Sequence, residues 1–170
     1  ADAAAQTMYI TKANAKALGL DVDSITWGNG QTFCTSTCDG FFRIDDQYDE
    51  ANLPRVDLIV HEIGHALGFV SSLRFTDNLS TLDMFRLEPG EGGVDFTDAR
   101  RVTDEGRVAV FYDGQYDPIA AGITGVPGVA LGDIPMSTGA GGDGNQPSHF
   151  KDDNLVGGVH LGVMDPIMSA

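Results

Sequence analysis

Basic residues are scarce in this chain. Ten Lys and Arg stand against 25 Asp and Glu, a formal net charge of −15 over 170 residues. A surface of that sign repels phosphate backbones and anionic lipid, so nucleic acid and acidic membranes are not expected as partners. It suits solubility in salty surroundings, or loosely held divalent cations. Long apolar runs are missing as well. None approaches the roughly 18 residues that a bilayer span requires, so no membrane span is expected. The opening residues, ADAAAQTMYI, have neither the basic region nor the apolar core of a signal peptide. A secreted chain loses that peptide on maturation, so secretion stays open.

Cysteine is nearly absent, with Cys34 and Cys38 in QTFCTSTCDG the only two. Four apart in a Thr/Ser/Gly-rich loop, they can close a small disulfide, which implies an oxidising compartment. A free thiol pair or half of a metal site are the alternatives. A structural zinc would need two more Cys or His ligands, and none lie nearby, which favours the disulfide.

Histidine is also rare, and two of the four histidines fall in one nonapeptide, HEIGHALGF at 61–69. On a helix His61 and His65 project from one face and can share a metal ion. Glu62 beside them can reach a water at that metal and take its proton. This is the zinc-hydrolase arrangement. Gly68 supplies the backbone freedom to end the helix. Two surface histidines on an amphipathic helix are the bland alternative. Against it, Val56, Leu58, Ile59, Val60, Ile63, Ala66, Leu67 and Phe69 make the helix apolar on most sides. The sequence therefore predicts a buried helix, in which imidazoles need a polar partner.

The rest of the chain reads as a single α+β domain, residues 1–170, long enough to bury about 70% of its unfolded surface. Residues Thr11–Gly19 predict a short helix closed by glycine. The stretch Ser24–Ile44 suits short antiparallel strands, and the motif helix should run over Leu53–Phe69, with Pro54 in its first turn. TLDMFR at 81–86 is a short mixed segment. Val108–Tyr112 predicts a strand ended by Asp113-Gly114. The glycine- and proline-rich residues 114–145 are expected to form irregular surface loops.

A catalytic zinc usually takes three protein ligands. In the short pattern HExxHxxGxxH the third falls at Ser71, which is no ligand. Glu88, Glu91 and Glu105 sit beside turn residues rather than in a helix. His149, in PSHFKDDN, and His160, in GGVHLG, remain. The polar, Gly-rich approach to His149 leaves it free to curl back to the helix, whereas His160 also reads as a solvated histidine.

HEIGHALGF, a long insertion, SHFKD and then VMDP together resemble the leishmanolysin-type metzincins and their bacterial secreted and envelope relatives. TLDMFR and the acidic Asp95-Phe96 add to the likeness, which covers most of the chain after about Leu53. The resemblance implies a metzincin-like zincin domain: a small mixed sheet, a buried HExxH helix and a loop-rich C-terminal half. It implies His61, His65 and His149 as zinc ligands, Glu62 as general base and Met164 as the methionine turn beneath the metal. Met164 as an ordinary core residue is the alternative. Relatives carry a helix after that turn and more residues before the first helix, so a processed or truncated form is expected.

The implied function is a secreted or bacterial cell-envelope zinc endopeptidase acting on an extended protein or peptide substrate, with Tyr112, Tyr116 or the loop around His149 as candidates to assist the oxyanion. The rival reading is a zinc-containing surface or adhesion module without peptidase activity. Calcium bound by Asp45, Asp46, Asp49 and Asp143 is a further candidate, although no stretch has EF-hand spacing and a solvated acidic face is the alternative.

Overall fold

The computed structural model describes residues 8–20, 22, 39–40, 55–73, 79–92 and 99–166. The expected strands over Ser24–Ile44, the Cys34/Cys38 pair, the acidic Asp45, Asp46 and Asp49, and Asp95-Phe96 lie outside those residues, apart from Asp39 and Gly40. The described elements form a small mixed α+β protein.

Strand β1 (Met8–Tyr9) leads into helix α1 (Lys12–Ala17). The Thr11 hydroxyl accepts from the Asn14 amide and starts the helix. Its end is a Schellman pair, Leu20 N–H to Ala15 O and Gly19 N–H to Lys16 O, with Gly19 at φ +74°. The helix expected over Thr11–Gly19 is present with both of its ends. Helix α2 (Arg55–Ala66) carries the motif. It closes in the same way, Phe69 N–H to Gly64 O and Gly68 N–H to His65 O, with Gly68 at φ +117°. A side chain at Gly68 would also run into Asn14, whose Nδ2 lies 2.0 Å from an ideal Cβ, so α1 packs close against the exit of α2.

After α2 come β2 (Leu79–Ser80), a 3₁₀ turn at Leu82–Phe85 and β3 (Arg86–Leu87). Strand β4 (Ala109–Tyr112) and strand β5 (Asp133–Met136) complete the set. Strands β1 and β2 pair in parallel, Met8 opposite Leu79. Strands β3, β4 and β5 form an antiparallel sheet, with Leu87 opposite Val110 and Val110 opposite Pro135. A bridge between Met136 and Phe150 carries the pairing on to the segment that holds His149.

Alternation along β4 divides the apolar interior in two. Ala109 packs with Leu82, Val102 and Met136, and Phe69 and Phe111 lean on that cluster. Val110 faces the other way, towards Leu87 and Ala99, with Tyr112 and Val129 against them. The motif helix therefore reaches the sheet through Phe69.

Two expectations need correction. Residues 114–145 are not all irregular, because β5 lies among them. The strand is short and contains Pro135, so its local sequence does not announce it; pairing with β4 creates it. The motif helix is not buried on most sides either. His61 is 7% exposed, but Val56, Val60, Ile63 and Leu67 are 70, 42, 40 and 59% exposed. Only the histidine face and its neighbours turn inward. The apolar residues on the other side are as exposed as surface groups, because among the described residues nothing packs over them.

Candidate metal centre

One turn of α2 separates His61 from His65, and the bridge at Phe150 brings His149 up to them. Their Nε2 atoms converge: His65 to His61 is 3.1 Å, and His149 lies 3.2 Å from each. The rings stand at 4.7–5.0 Å between centroids, His61 and His149 stacked and His65 edge-on to both. Phe69, just past the helix, meets Phe150 edge to face at 5.1 Å, so the two histidine-bearing segments are also joined by aromatic packing.

Each imidazole is fixed from behind. His61 Nδ1 donates to Val163 O at 2.7 Å, His65 Nδ1 to Phe69 O at 2.7 Å and His149 Nδ1 to Gln146 O at 3.2 Å. A carbonyl oxygen only accepts, so in every ring the proton belongs on Nδ1. A neutral imidazole then turns a lone pair outward from Nε2. Three such lone pairs meeting at 3.1–3.2 Å repel one another unless a cation lies among them. A tetrahedral zinc with bonds of about 2.0–2.1 Å sets its nitrogen ligands about 3.3–3.4 Å apart, close to this spacing. The donor set therefore fits a zinc-type ion, and the backing carbonyls are what such ligands normally carry.

Burial acts in the same direction. His149 is 8% exposed, and its pKa is pulled down to about 4, first by burial and then by His65 and His61. His65 is lowered too, chiefly by burial, with its bond to Phe69 and the charge of Glu62 working against that. Both rings are thus held in the neutral form that binds metals. Glu62 follows His61 on α2, between the two helical histidines.

Met164 is 6% exposed and sits directly beneath Gly64: a Cβ built on Gly64 would stand 2.5 Å from its Sδ. The Phe150 amide donates to Met164 O at 2.9 Å, which ties the methionine to the His149 segment. His160 is not part of the cluster. It is exposed, with Nδ1 3.9 Å from Asp165 Oδ2. With Asp153 and Asp165 it forms a second grouping of possible donors among the described residues.

Two cavities of about 370 and 380 Å³ adjoin His65. Tyr9, Val70 and Ser80 line both, and Gln146 and Ser148 line the second. Neither Tyr112 nor Tyr116 lines them. Tyr112 packs into the second apolar cluster, against Gly92 and Gly132. Tyr9, which no motif or spacing singles out, lines both cavities beside His65 instead. Asp143 is taken up by its own loop: it accepts from Thr138 N and pairs with Lys151 Nζ at 2.7 Å. No described helix is long and apolar enough to cross a membrane. Comparison of the chain with protein-family models, curated proteins and solved structures gives no match.

Proposed function

We propose that the protein is a zinc-dependent endopeptidase of the metzincin kind, working in the bacterial envelope or outside the cell. The observation that carries the reading is the convergence of three Nε2 lone pairs, each ring locked by a carbonyl at Nδ1. The glutamate between the two helical ligands adds to it, because a purely structural site has no use for such a base. Met164 beneath Gly64, and a third histidine drawn from far downstream, support the metzincin variant.

His61, His65 and His149 would hold the ion. Zinc bound there supplies a Lewis acid, polarising the scissile carbonyl and making a water acidic enough to lose its proton near neutral pH. Glu62 accepts the proton of the attacking water and later delivers it to the departing amine. The burial of His61 and His149 keeps bulk water away from one side of the reaction centre. The cavities beside His65 offer room for substrate, with Tyr9, Gln146 and Ser148 as polar contacts.

Hydrolysis of unfolded casein by the wild type and by Glu62→Gln, at matched zinc content, tests this reading. The amide keeps the volume of the carboxylate but accepts no proton. The expected loss is about 10²–10⁴ in rate with zinc retained. Equal rates would refute Glu62 as the base. Zinc held tightly with no cleavage by either protein would favour a metal-containing surface module.

A further inference from the structure

We propose that Arg86 is the positioning residue for His149, clamping both stems of the loop that brings this third ligand to the helix. The inference rests on reading the three histidines as metal ligands, and it concerns how the last of them is held.

Arg86 begins β3 and is fully buried, an unusual place for a guanidinium. Its Nη1 donates to Pro147 O at 2.8 Å and its Nη2 to Ser137 O at 3.0 Å. Those two carbonyls stand at either end of residues 138–146, TGAGGDGNQ, which include four glycines. Gly139 and Gly144 adopt φ of +88° and +87°, so the loop spends chain entropy to hold its shape. One planar fork closing both stems offsets that cost, and a lysine cannot reproduce it because it lacks the rigid pair of donors.

Both stems connect directly to the ligand. Pro147 is two residues before His149. Ser137 N–H donates to His149 O at 3.0 Å, and Ser137 Oγ donates to Phe150 O at 2.7 Å. Arg86 thus grips the carbonyl of Pro147, two residues before His149, and the carbonyl of Ser137, whose N–H holds the carbonyl of His149 itself. Burial lowers the pKa of the guanidinium to about 10, with Asp83, Asp143 and Glu105 opposing, so it stays charged at neutral pH.

Three residues earlier, Asp83 does the corresponding work on the helix side. Its wholly buried carboxylate accepts from Ser71 Oγ at 2.5 Å, Ser72 N at 3.2 Å, Ser80 N at 2.7 Å and Ser80 Oγ at 2.8 Å. Ser71 in turn donates its N–H to Ser148 Oγ at 2.9 Å. In the short HxxGxxH pattern position 71 would itself be the third ligand. Here it instead holds the neighbour of the histidine that takes that place. The segment 81–86 is therefore a frame between the helix exit and the ligand loop, and Arg86 is its contact with the loop.

The test measures metal binding and needs no substrate. Zinc affinity, by competition with a chromophoric chelator, and the visible spectrum of the cobalt-loaded protein are recorded for the full chain. The wild type should give the intense absorption of four-coordinate cobalt; its absence would overturn the ligand reading, and this inference with it. Arg86→Met should lower zinc affinity about 10–100-fold, as loss of a group behind a ligand does. It should also weaken the cobalt bands. Leu87→Ala, the next residue of the strand, removes buried contacts in the second apolar cluster and should lower the melting temperature without changing affinity or spectrum.

In a His149→Ala background, Arg86→Met should have no further effect on zinc affinity. An equal loss with or without His149 would make Arg86 a general stabiliser and overturn the proposal. Should Arg86→Met fail to fold, Arg86→Lys decides. It keeps the charge but bridges the two carbonyls poorly, so a reduced affinity supports the clamp and an unchanged one refutes it.

Discussion

Replacing Gly64 by alanine should cost stability, although alanine is the better helix former. Gly64 lies in the interior of α2, where exchange for alanine ordinarily gains about 1 kcal/mol. The Cβ it adds would stand 2.5 Å from Met164 Sδ and 3.3 Å from its Cε. An ordinary carbon–sulfur contact is well over 3 Å, so the thioether must withdraw by about 1 Å or more. Overfilling of this kind costs about 1–3 kcal/mol, leaving a net loss of about 1 kcal/mol. In a Met164→Ala background the obstacle is gone, and the same substitution should stabilise by about 1 kcal/mol, close to its propensity value. The two sites should then couple by about 2 kcal/mol, within the range found for residues in contact. Urea denaturation of the four proteins with chelator present measures this without the metal. A stabilising Gly64→Ala in the otherwise wild-type chain, or the same sign in both backgrounds, would mean that Met164 does not press on the motif helix.

Metal analysis should find one equivalent of zinc, abolished or sharply weakened by His149→Ala and kept by His160→Ala; a second equivalent lost with His160 would instead point to the Asp153/His160/Asp165 grouping. Chelation should lower the melting temperature, because an ion present at about a thousand times its dissociation constant stabilises by about 4 kcal/mol, and an unmoved transition would count against a ligated cluster. Asp143→Ala should destabilise by about 3 kcal/mol in chemical denaturation, since it leaves the 13%-exposed Lys151 side chain without its partner. Mass spectrometry of protein from its native compartment should find Cys34 and Cys38 joined, and two free thiols would end that expectation.

What could be read from the sequence is what is local. The pairing of His61 with His65 follows from helical period alone, and both described helices end where a glycine permits the Schellman turn. Strand β4 was legible from its apolar run VAVFY and its Asp-Gly stop. Strand β5 was not, since Ile134 and Met136 flank a proline in a glycine-rich stretch and only pairing with β4 selects the extended form. The exposure of α2 escaped for a related reason. Apolar periodicity says which residues could be covered, not whether another element arrives to cover them. Asp83 and Arg86 carry little signal because charged residues usually belong to the surface, and a lone Arg between Phe85 and Leu87 is the one hint of burial.

The third histidine of the cluster shows why the remaining part of the site was harder to read. His149 follows His65 by 84 positions, where the short pattern needs six. In chain entropy that distance matters little, because lengthening a flexible loop from six residues to 84 costs about 2 kcal/mol. Precision is the greater difficulty. A ligand on the same turn inherits its position from the helix, whereas one that comes from a glycine-rich loop must be set by contacts made elsewhere. The guanidinium of Arg86 on the two loop stems, Ser148 on the Ser71 amide and Phe150 against Phe69 are such contacts. None has a period or a spacing. Each is formed only when the sheet has brought residues 86, 137 and 147 together, so the placement of His149 belongs to the tertiary structure and the placement of His61 and His65 to the helix.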